Sequence, residues 1–125
     1  MKFPVLIALL VVLAAGGIGG GIWYTNTQPG ALDGFASCLG EKGAKFYGAF
    51  WCPHCANQKK LFGKSAKKLP YIECGVAGNT SAQTQVCTDA EVKGYPTWVF
   101  ADASRLSGEI PLQTLAEKTG CALPS

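Results

Sequence analysis

Two cysteines separated by two residues, Cys52 and Cys55, form the segment of this chain with the clearest potential for chemistry. They follow a strand-like apolar run and precede a helix-like segment, so Cys52 should lie at a helix N-terminus. Unpaired N–H groups and the helix dipole favour negative charge there, and the thiolate is the reactive form of cysteine. Pro53 suits the first helical position, and His54 adds positive charge. The pattern predicts a redox pair with Cys52 as the exposed nucleophile and Cys55 as the more buried, resolving sulfur.

Two other interpretations of this cysteine pair stay open. Cys52 and Cys55 could form a purely structural disulfide, although so short a spacer is typical of redox-active pairs. They could also bind zinc with His54 and another cysteine, but structural zinc sites usually contain a second Cys/His pair at similar spacing. No such pair exists among the other four cysteines, so we expect no metal and no other cofactor. Those four are Cys38, Cys74, Cys87 and Cys121.

Length, charge and cysteine content limit the class of protein. A chain of 125 residues has room for one domain and an appendage. The net charge of +3 is too small to indicate nucleic-acid binding, and aromatic and basic residues are not interleaved. Six cysteines in so short a chain indicate an oxidising compartment. We therefore expect a domain that works outside the cytoplasm and has no nucleic-acid partner.

The N-terminal segment is apolar and long enough to cross a bilayer. Lys2 precedes an uncharged stretch that continues through Tyr24, and the next basic residue is Lys42. By the positive-inside rule, the short N-terminus lies in the cytoplasm and the domain on the other side. A cleaved signal peptide with residues 3–13 as its apolar region is the alternative. We predict a single-pass signal anchor, residues 1–24, that holds a periplasmic domain at the cell membrane.

A polar linker, residues 25–30, separates this anchor from a small α/β domain, residues 31–125. Its predicted elements are helices at 31–41, 53–69, 84–92 and 112–119, strands at 45–50 and 71–74, and a hairpin of 97–101 with 105–107. Leu61 is expected on the apolar face of the second helix, residues 75–83 form a loop, and Gly120 suits a C-cap. A βαβ unit followed by a hairpin and a helix is the thioredoxin-like order, a central mixed sheet flanked by helices.

Six separated motifs carry a resemblance to a known family. They are GAKFYGAFWCPHC at 43–55, QKKLFG at 58–63, YIEC at 71–74, QTQVC at 83–87, GYPTW at 94–98 and LAE at 115–117. Together they resemble the thioredoxin-like domain that accompanies vitamin K epoxide reductase homologues in bacteria and plants. Such domains are often fused behind a quinone-reducing helical bundle, for which this chain has no room. We therefore expect a stand-alone, membrane-anchored protein.

The resemblance implies a substrate-binding role for residues outside the cysteine pair. In thioredoxin-like proteins a cis proline stands opposite the Cys-x-x-Cys motif and presents backbone to bound peptide. Pro96 matches that proline, and Tyr95 precedes it. We expect Trp51, next to Cys52, to bind substrate together with these two residues.

The resemblance also implies a disulfide between Cys74 and Cys87. Closing a loop of this size stabilises a fold by about 3 kcal/mol in the chain-entropy model. The remaining cysteines, Cys38 and Cys121, would tie together the two ends of a small domain whose core alone is marginal. Free thiols or a link to another chain are the alternatives for this second pair.

These observations predict an extracytoplasmic protein disulfide oxidoreductase. Pro-His is the dipeptide found between the cysteines of strongly oxidising periplasmic members of the fold. Phe46 stands where thioredoxins have a buried acid that helps to move the proton of the second cysteine. We expect an enzyme that oxidises thiols of exported proteins and passes electrons to a membrane quinone reductase of the vitamin K epoxide reductase type. The alternatives are a membrane-tethered reductase, as in cytochrome maturation, and a non-catalytic thioredoxin-like binding module.

Overall fold

An apolar N-terminal helix precedes an α/β domain in the computed structural model, which describes residues 2–125 without the side chains of residues 25–27. The helices are α1 (Lys2–Thr27), α2 (Asp33–Glu41), α3 (Pro53–Lys60), α4 (Gln85–Asp89) and α5 (Leu112–Thr119). The strands are β1 (Lys45–Gly48), β2 (Tyr71–Glu73), β3 (Gly75–Val76), β4 (Asn79–Gln83), β5 (Thr97–Val99) and β6 (Arg105–Ser107). A 3-10 helix, Gly63–Lys68, follows α3.

The central sheet has the strand order β2-β1-β5-β6. β1 runs parallel to β2, while β5 runs antiparallel to both β1 and β6. Parallel neighbours need a crossover connection, which α3 and the 3-10 helix supply between β1 and β2. A mixed sheet flanked by helices in this order is a thioredoxin-like fold, so the predicted fold class is confirmed.

The two faces of the sheet bury different clusters because alternate side chains of a strand point to opposite faces. On one face, Phe46 stacks on Trp98 with ring centroids 4.8 Å apart, and neither side chain is exposed. Leu39 of α2 and Leu115 of α5 belong to the same cluster and are also fully buried. On the other face, Tyr47 packs in a second cluster. Helix α3, which follows Cys52 of the Cys-x-x-Cys motif, contributes Cys55 to the larger cluster.

Each of the two buried clusters is crosslinked by a disulfide bond. Cys38 of α2 is bonded to Cys121, just beyond α5, with 5.9 Å between the Cα atoms. Cys74, directly after β2, is bonded to Cys87 of α4, with 5.6 Å between the Cα atoms. The pairings are those expected from the sequence, and the first joins sequence-distant ends of the domain.

The single helix predicted at 53–69 is wrong. α3 ends at Lys60, and Gly63 has a φ of +54°, in the left-handed region that an α-helix cannot include. The chain continues instead as the 3-10 helix. Leu61, expected on the apolar face, lies at this break and is 46% exposed.

The loop predicted at 75–83 is also wrong, because β3 and β4 pair there as an antiparallel hairpin. Gly78, with a φ of +77°, lies in the connection between the two strands. β4 is polar and mostly exposed, so it lacks the apolar alternation that identifies a strand in a sequence.

Several predicted boundaries shift by a few residues. The strand predicted at 45–50 ends at Gly48, because the Cys52 N–H donates to the Ala49 carbonyl (3.0 Å) and turns the chain. The helix predicted at 31–41 begins at Asp33, and the last helix keeps its predicted bounds, with Gly120 at φ +77° as its C-cap. The helix predicted at 84–92 and the strands predicted at 71–74 and 97–101 are shorter, as Gln85–Asp89, Tyr71–Glu73 and Thr97–Val99.

Helix α1 is long and apolar enough, from Lys2 to Tyr24, to cross a membrane by length and composition. A membrane anchor and a signal sequence both have these properties. α1 continues to Thr27, so the first half of the predicted linker is helical. Beyond it, the Leu32 N–H donates to the Ser65 hydroxyl (2.9 Å), which fixes the start of the domain to the 3-10 helix.

Candidate active site

Cys52 is the N-cap residue of α3, and Pro53 occupies the first turn of the helix. The backbone at Cys52 is extended, and its carbonyl accepts a hydrogen bond from the Ala56 N–H (3.1 Å). Proline fits here because the first helical N–H groups have no partner inside the helix. The local sequence therefore places Cys52 where the helix dipole favours a thiolate.

The two cysteines of the motif are free thiols and differ in their surroundings. Cys52 is only 6% exposed, so the prediction of an exposed sulfur is wrong. The turn before α3 and the Tyr95 carbonyl shield the Cys52 sulfur from solvent. Cys55 is 1% exposed, and burial raises the pKa of its thiol to about 12. A backbone hydrogen bond from Ala49 partly opposes this rise. Cys55 therefore keeps its proton at neutral pH, as suits a resolving sulfur.

The loop before β5 lies directly beside Cys52. The Tyr95–Pro96 peptide bond is cis, and the Tyr95 carbonyl is 3.8 Å from the Cys52 sulfur, which donates to it. The Trp51 ring meets the Tyr95 ring edge-on at 5.8 Å and is 38% exposed. The structure thus brings these three residues together around Cys52, and their role in substrate binding stays a prediction.

The β3–β4 hairpin, which the sequence did not reveal, supports this aromatic group. The Tyr95 hydroxyl lies 2.5 Å from the side-chain amide of Gln83 in β4. A Cβ on Gly75 of β3 would lie 2.8 Å from the Phe50 ring and 3.4 Å from Trp51 Nε1. Gly75 therefore lets the residues before Cys52 pack closely on the hairpin.

His54 has an acidic neighbour that sequence reasoning missed. Its Nδ1 lies 2.9 Å from Oε2 of Glu109, which is 55 residues away in the chain. Both side chains face solvent, with 65% of His54 and 40% of Glu109 exposed. The Glu109 carboxyl group thus lies beside the histidine that the sequence identified as a source of positive charge near Cys52.

Gln58 fixes the segment that carries Glu109. Its side chain is fully buried on α3, donates to the Ile110 carbonyl (3.0 Å) and accepts from the Ile110 N–H (2.6 Å). These two bonds hold the segment after β6 against α3. A glutamine in a lysine-rich helix has no sequence signal of burial, so this contact could not be predicted.

We expect Gln58→Leu to lower the free energy of unfolding by about 2–4 kcal/mol, because it leaves two buried backbone groups of Ile110 without partners. Pulse proteolysis of the full chain across a urea series would measure the loss. Gln113→Leu, on the exposed face of α5, is the control and should change stability by less than about 0.5 kcal/mol. Equal effects of the two substitutions would contradict the role given to Gln58.

A zinc site at the motif would need further ligands. Within the part of the chain that the structure describes, no three His, Cys, Asp or Glu side chains are grouped as a metal site requires. The four cysteines outside the motif are bonded in disulfides. The His54 ring, which could supply a nitrogen ligand, contacts the carboxyl group of Glu109.

Comparison with known proteins gives a relative with a named activity. No protein-family model matches the chain. The chain is 45% identical over 102 residues to Thiol-disulfide oxidoreductase LTO1 of Arabidopsis thaliana. The match includes 79% of this chain but spans 27% of that protein. This chain is thus similar over most of its length to one part of a thiol-disulfide oxidoreductase.

Proposed function

We propose that this protein is a thiol–disulfide oxidoreductase that oxidises the thiols of exported proteins through Cys52 and Cys55. The observation that carries the proposal is the position of Cys52 at the N-cap of α3, with the Tyr95 carbonyl beside its sulfur. A peptide lying along this backbone would bring its own sulfur to Cys52. The 45% sequence identity to part of a plant thiol-disulfide oxidoreductase supports the same activity.

The reaction begins with the oxidised Cys52–Cys55 bond. A substrate thiolate attacks the Cys52 sulfur, Cys55 leaves with the electron pair and takes up a proton, and a mixed disulfide forms on Cys52. The second substrate thiolate then attacks the substrate sulfur of that mixed disulfide. Cys52 leaves as a thiolate, which the N-terminus of α3 stabilises. The substrate is released with a disulfide, and the enzyme is left as a dithiol.

The dithiol must pass the two electrons that it took from the substrate to an acceptor. We propose a membrane quinone reductase of the vitamin K epoxide reductase type as that acceptor. In this arrangement α1 is a signal anchor with its N-terminus in the cytoplasm, and residues 31–125 form the extracytoplasmic catalytic domain. The short segment between α1 and Leu32 would keep Cys52 within reach of a partner in the same membrane.

A membrane-tethered reductase of exported thiols is the second candidate. Glu109 favours it, because its carboxylate next to His54 opposes the stabilisation of negative charge on Cys52. A less stable thiolate makes the dithiol form a better reductant. The same fold would then take electrons from a membrane transporter and pass them to its substrates.

The reduction potential of the Cys52–Cys55 pair separates the two directions. It can be measured for the full chain in detergent, in glutathione buffers that leave the Cys38–Cys121 and Cys74–Cys87 bridges intact. We expect a value near or above about −180 mV, in the range of disulfide isomerase and stronger oxidants. A value near about −270 mV, as in thioredoxin, would contradict the oxidase and support the tethered reductase.

A further inference from the structure

The resolving cysteine needs a route for its proton. Cys55 must gain a proton when it leaves Cys52 and lose it again when the disulfide re-forms. Cys55 is 1% exposed, so water has little direct access to its sulfur. Phe46, at the position where thioredoxins have a buried acid, is fully buried between Trp98 and Tyr71 and cannot move a proton.

Gly48 opens a space between Cys55 and a tyrosine hydroxyl on the neighbouring strand. A Cβ built on Gly48 would lie 3.0 Å from the Cys55 sulfur and 3.4 Å from the Tyr71 hydroxyl. The two polar atoms therefore border the same small space, which any larger residue would fill. The parallel register pairs Gly48 with Glu73, so Tyr71 and Glu73, two residues apart on β2, point to the face that α3 covers.

Tyr71 connects this space with a carboxylate. Its hydroxyl donates to Oε2 of Glu73 at 2.9 Å, and the same oxygen accepts from the Gly75 N–H at 3.2 Å. Burial, followed by the hydrogen bond to Glu73, raises the pKa of Tyr71 above its ordinary range, so the phenol is protonated at neutral pH. Glu73 is only partly buried and can exchange protons with water.

A lysine of the active-site helix completes the group. Lys59 lies one helical turn after Cys55, and its Nζ is 3.6 Å from the centroid of the Tyr71 ring. Its positive charge acts against the burial effect and lowers the pKa of Cys55. The ring of Tyr71 thus contacts both Lys59 on α3 and Phe46 on β1.

We propose that Tyr71, oriented by Glu73, relays the proton of Cys55 during disulfide exchange. When the Cys52–Cys55 bond breaks, the electron pair moves to the Cys55 sulfur, which takes the hydroxyl proton of Tyr71. The Tyr71 oxygen regains a proton through Glu73, which takes it from water. When the disulfide re-forms, the proton moves in the opposite direction. Tyr71 is the proton-relay residue, and Glu73 orients its hydroxyl and passes on the proton that the Tyr71 oxygen regains.

The proposal rests on the proposed thiol–disulfide exchange, and one experiment tests both. The oxidised full chain in detergent is mixed with reduced dithiothreitol in a stopped-flow instrument, and the reverse reaction uses the reduced chain and oxidised dithiothreitol. We expect Tyr71→Phe to slow both directions by at least about tenfold, since general acid–base catalysis typically contributes more than this. The reduction potential should not change, because a relay lowers one barrier for both directions.

Two further variants separate a relay from a structural effect. Tyr47→Phe removes a hydroxyl from the opposite face of the same sheet and should leave both rates within about twofold of the wild-type rates. Glu73→Gln keeps the shape of the side chain and should slow both directions less than Tyr71→Phe. The solvent deuterium isotope effect on the wild-type rates should disappear in Tyr71→Phe.

Each outcome decides a different claim. If the wild-type chain exchanges disulfides and Tyr71→Phe exchanges them as fast as Tyr47→Phe, the relay is wrong and the proposed function stands. A shifted reduction potential with an unchanged isotope effect would also overturn the relay in favour of a structural role. If the oxidised wild-type chain does not react with thiols at all, the proposed function fails and the relay fails with it.

Discussion

Cys52→Ser should abolish thiol–disulfide exchange completely, whereas Cys55→Ser should accumulate covalent complexes with substrates. A serine at position 52 cannot form the mixed disulfide, and the buried Cys55 keeps its proton at neutral pH because burial raises its pKa. In Cys55→Ser the Cys52 thiolate attacks an existing disulfide of a substrate or of the electron acceptor and expels one of its sulfurs as a thiolate. The resulting mixed disulfide on Cys52 has no Cys55 thiol to resolve it. Non-reducing gels and mass spectrometry of complexes purified from cells expressing each full-length variant would measure both results.

Ala56→Ser is the matched control, because it places a serine on the exposed side of the same helix. It should exchange disulfides like the wild type and trap nothing. Full function in Cys52→Ser would contradict the oxidoreductase and support a non-catalytic binding module. Complexes trapped by Cys52→Ser instead of Cys55→Ser would reverse the roles assigned to the two sulfurs.

The trapped partners also test the proposed electron path. Exported proteins with an even number of cysteines are expected if Cys52 oxidises substrates. A membrane quinone reductase among the complexes would support the proposed acceptor, because reoxidation also passes through a mixed disulfide on Cys52. Complexes with a thiol-donating membrane transporter would instead support the tethered reductase.

Local sequence signals predicted those parts of the fold that local chemistry determines. The apolar run before Cys52 gave β1, Pro53 marked the start of α3, and Gly120 marked the end of α5. Each of these signals acts within a few residues, through periodicity or a cap. The break at Gly63 was missed because a lone glycine inside a helical pattern is often tolerated, and only its positive φ identifies the interruption.

The parts of the candidate site that depend on tertiary contact could not be predicted. Glu109 lies beside His54, and Ile110 pairs with Gln58, only because the segment after β6 returns to α3 from more than fifty residues away. The Cys55 sulfur and the Tyr71 hydroxyl both lie beside Gly48, which has no side chain to separate them. This arrangement depends on two strands and a helix. Polar residues such as these have no periodic pattern that reports their neighbours.

The second large effect is on stability, and it should follow from the disulfide between Cys38 and Cys121. The double variant Cys38→Ala/Cys121→Ala should lower the free energy of unfolding by about 4.5 kcal/mol, because the bridge closes a loop of 83 residues. Cys74→Ala/Cys87→Ala should cost about 3 kcal/mol, because its loop spans 13 residues. Pulse proteolysis of the full chain across a urea series would measure both losses.

The order of the two losses is the informative result. A domain of this size has a marginal core, so a loss of about 4.5 kcal/mol would remove much of its stability. The bridge joins α2 to the segment after α5, and neither contains Cys52 or Cys55. Variant molecules that stay folded should therefore exchange disulfides at the wild-type rate. A smaller loss for the longer loop would show that native packing, and not the unfolded chain, sets the contribution of each bridge.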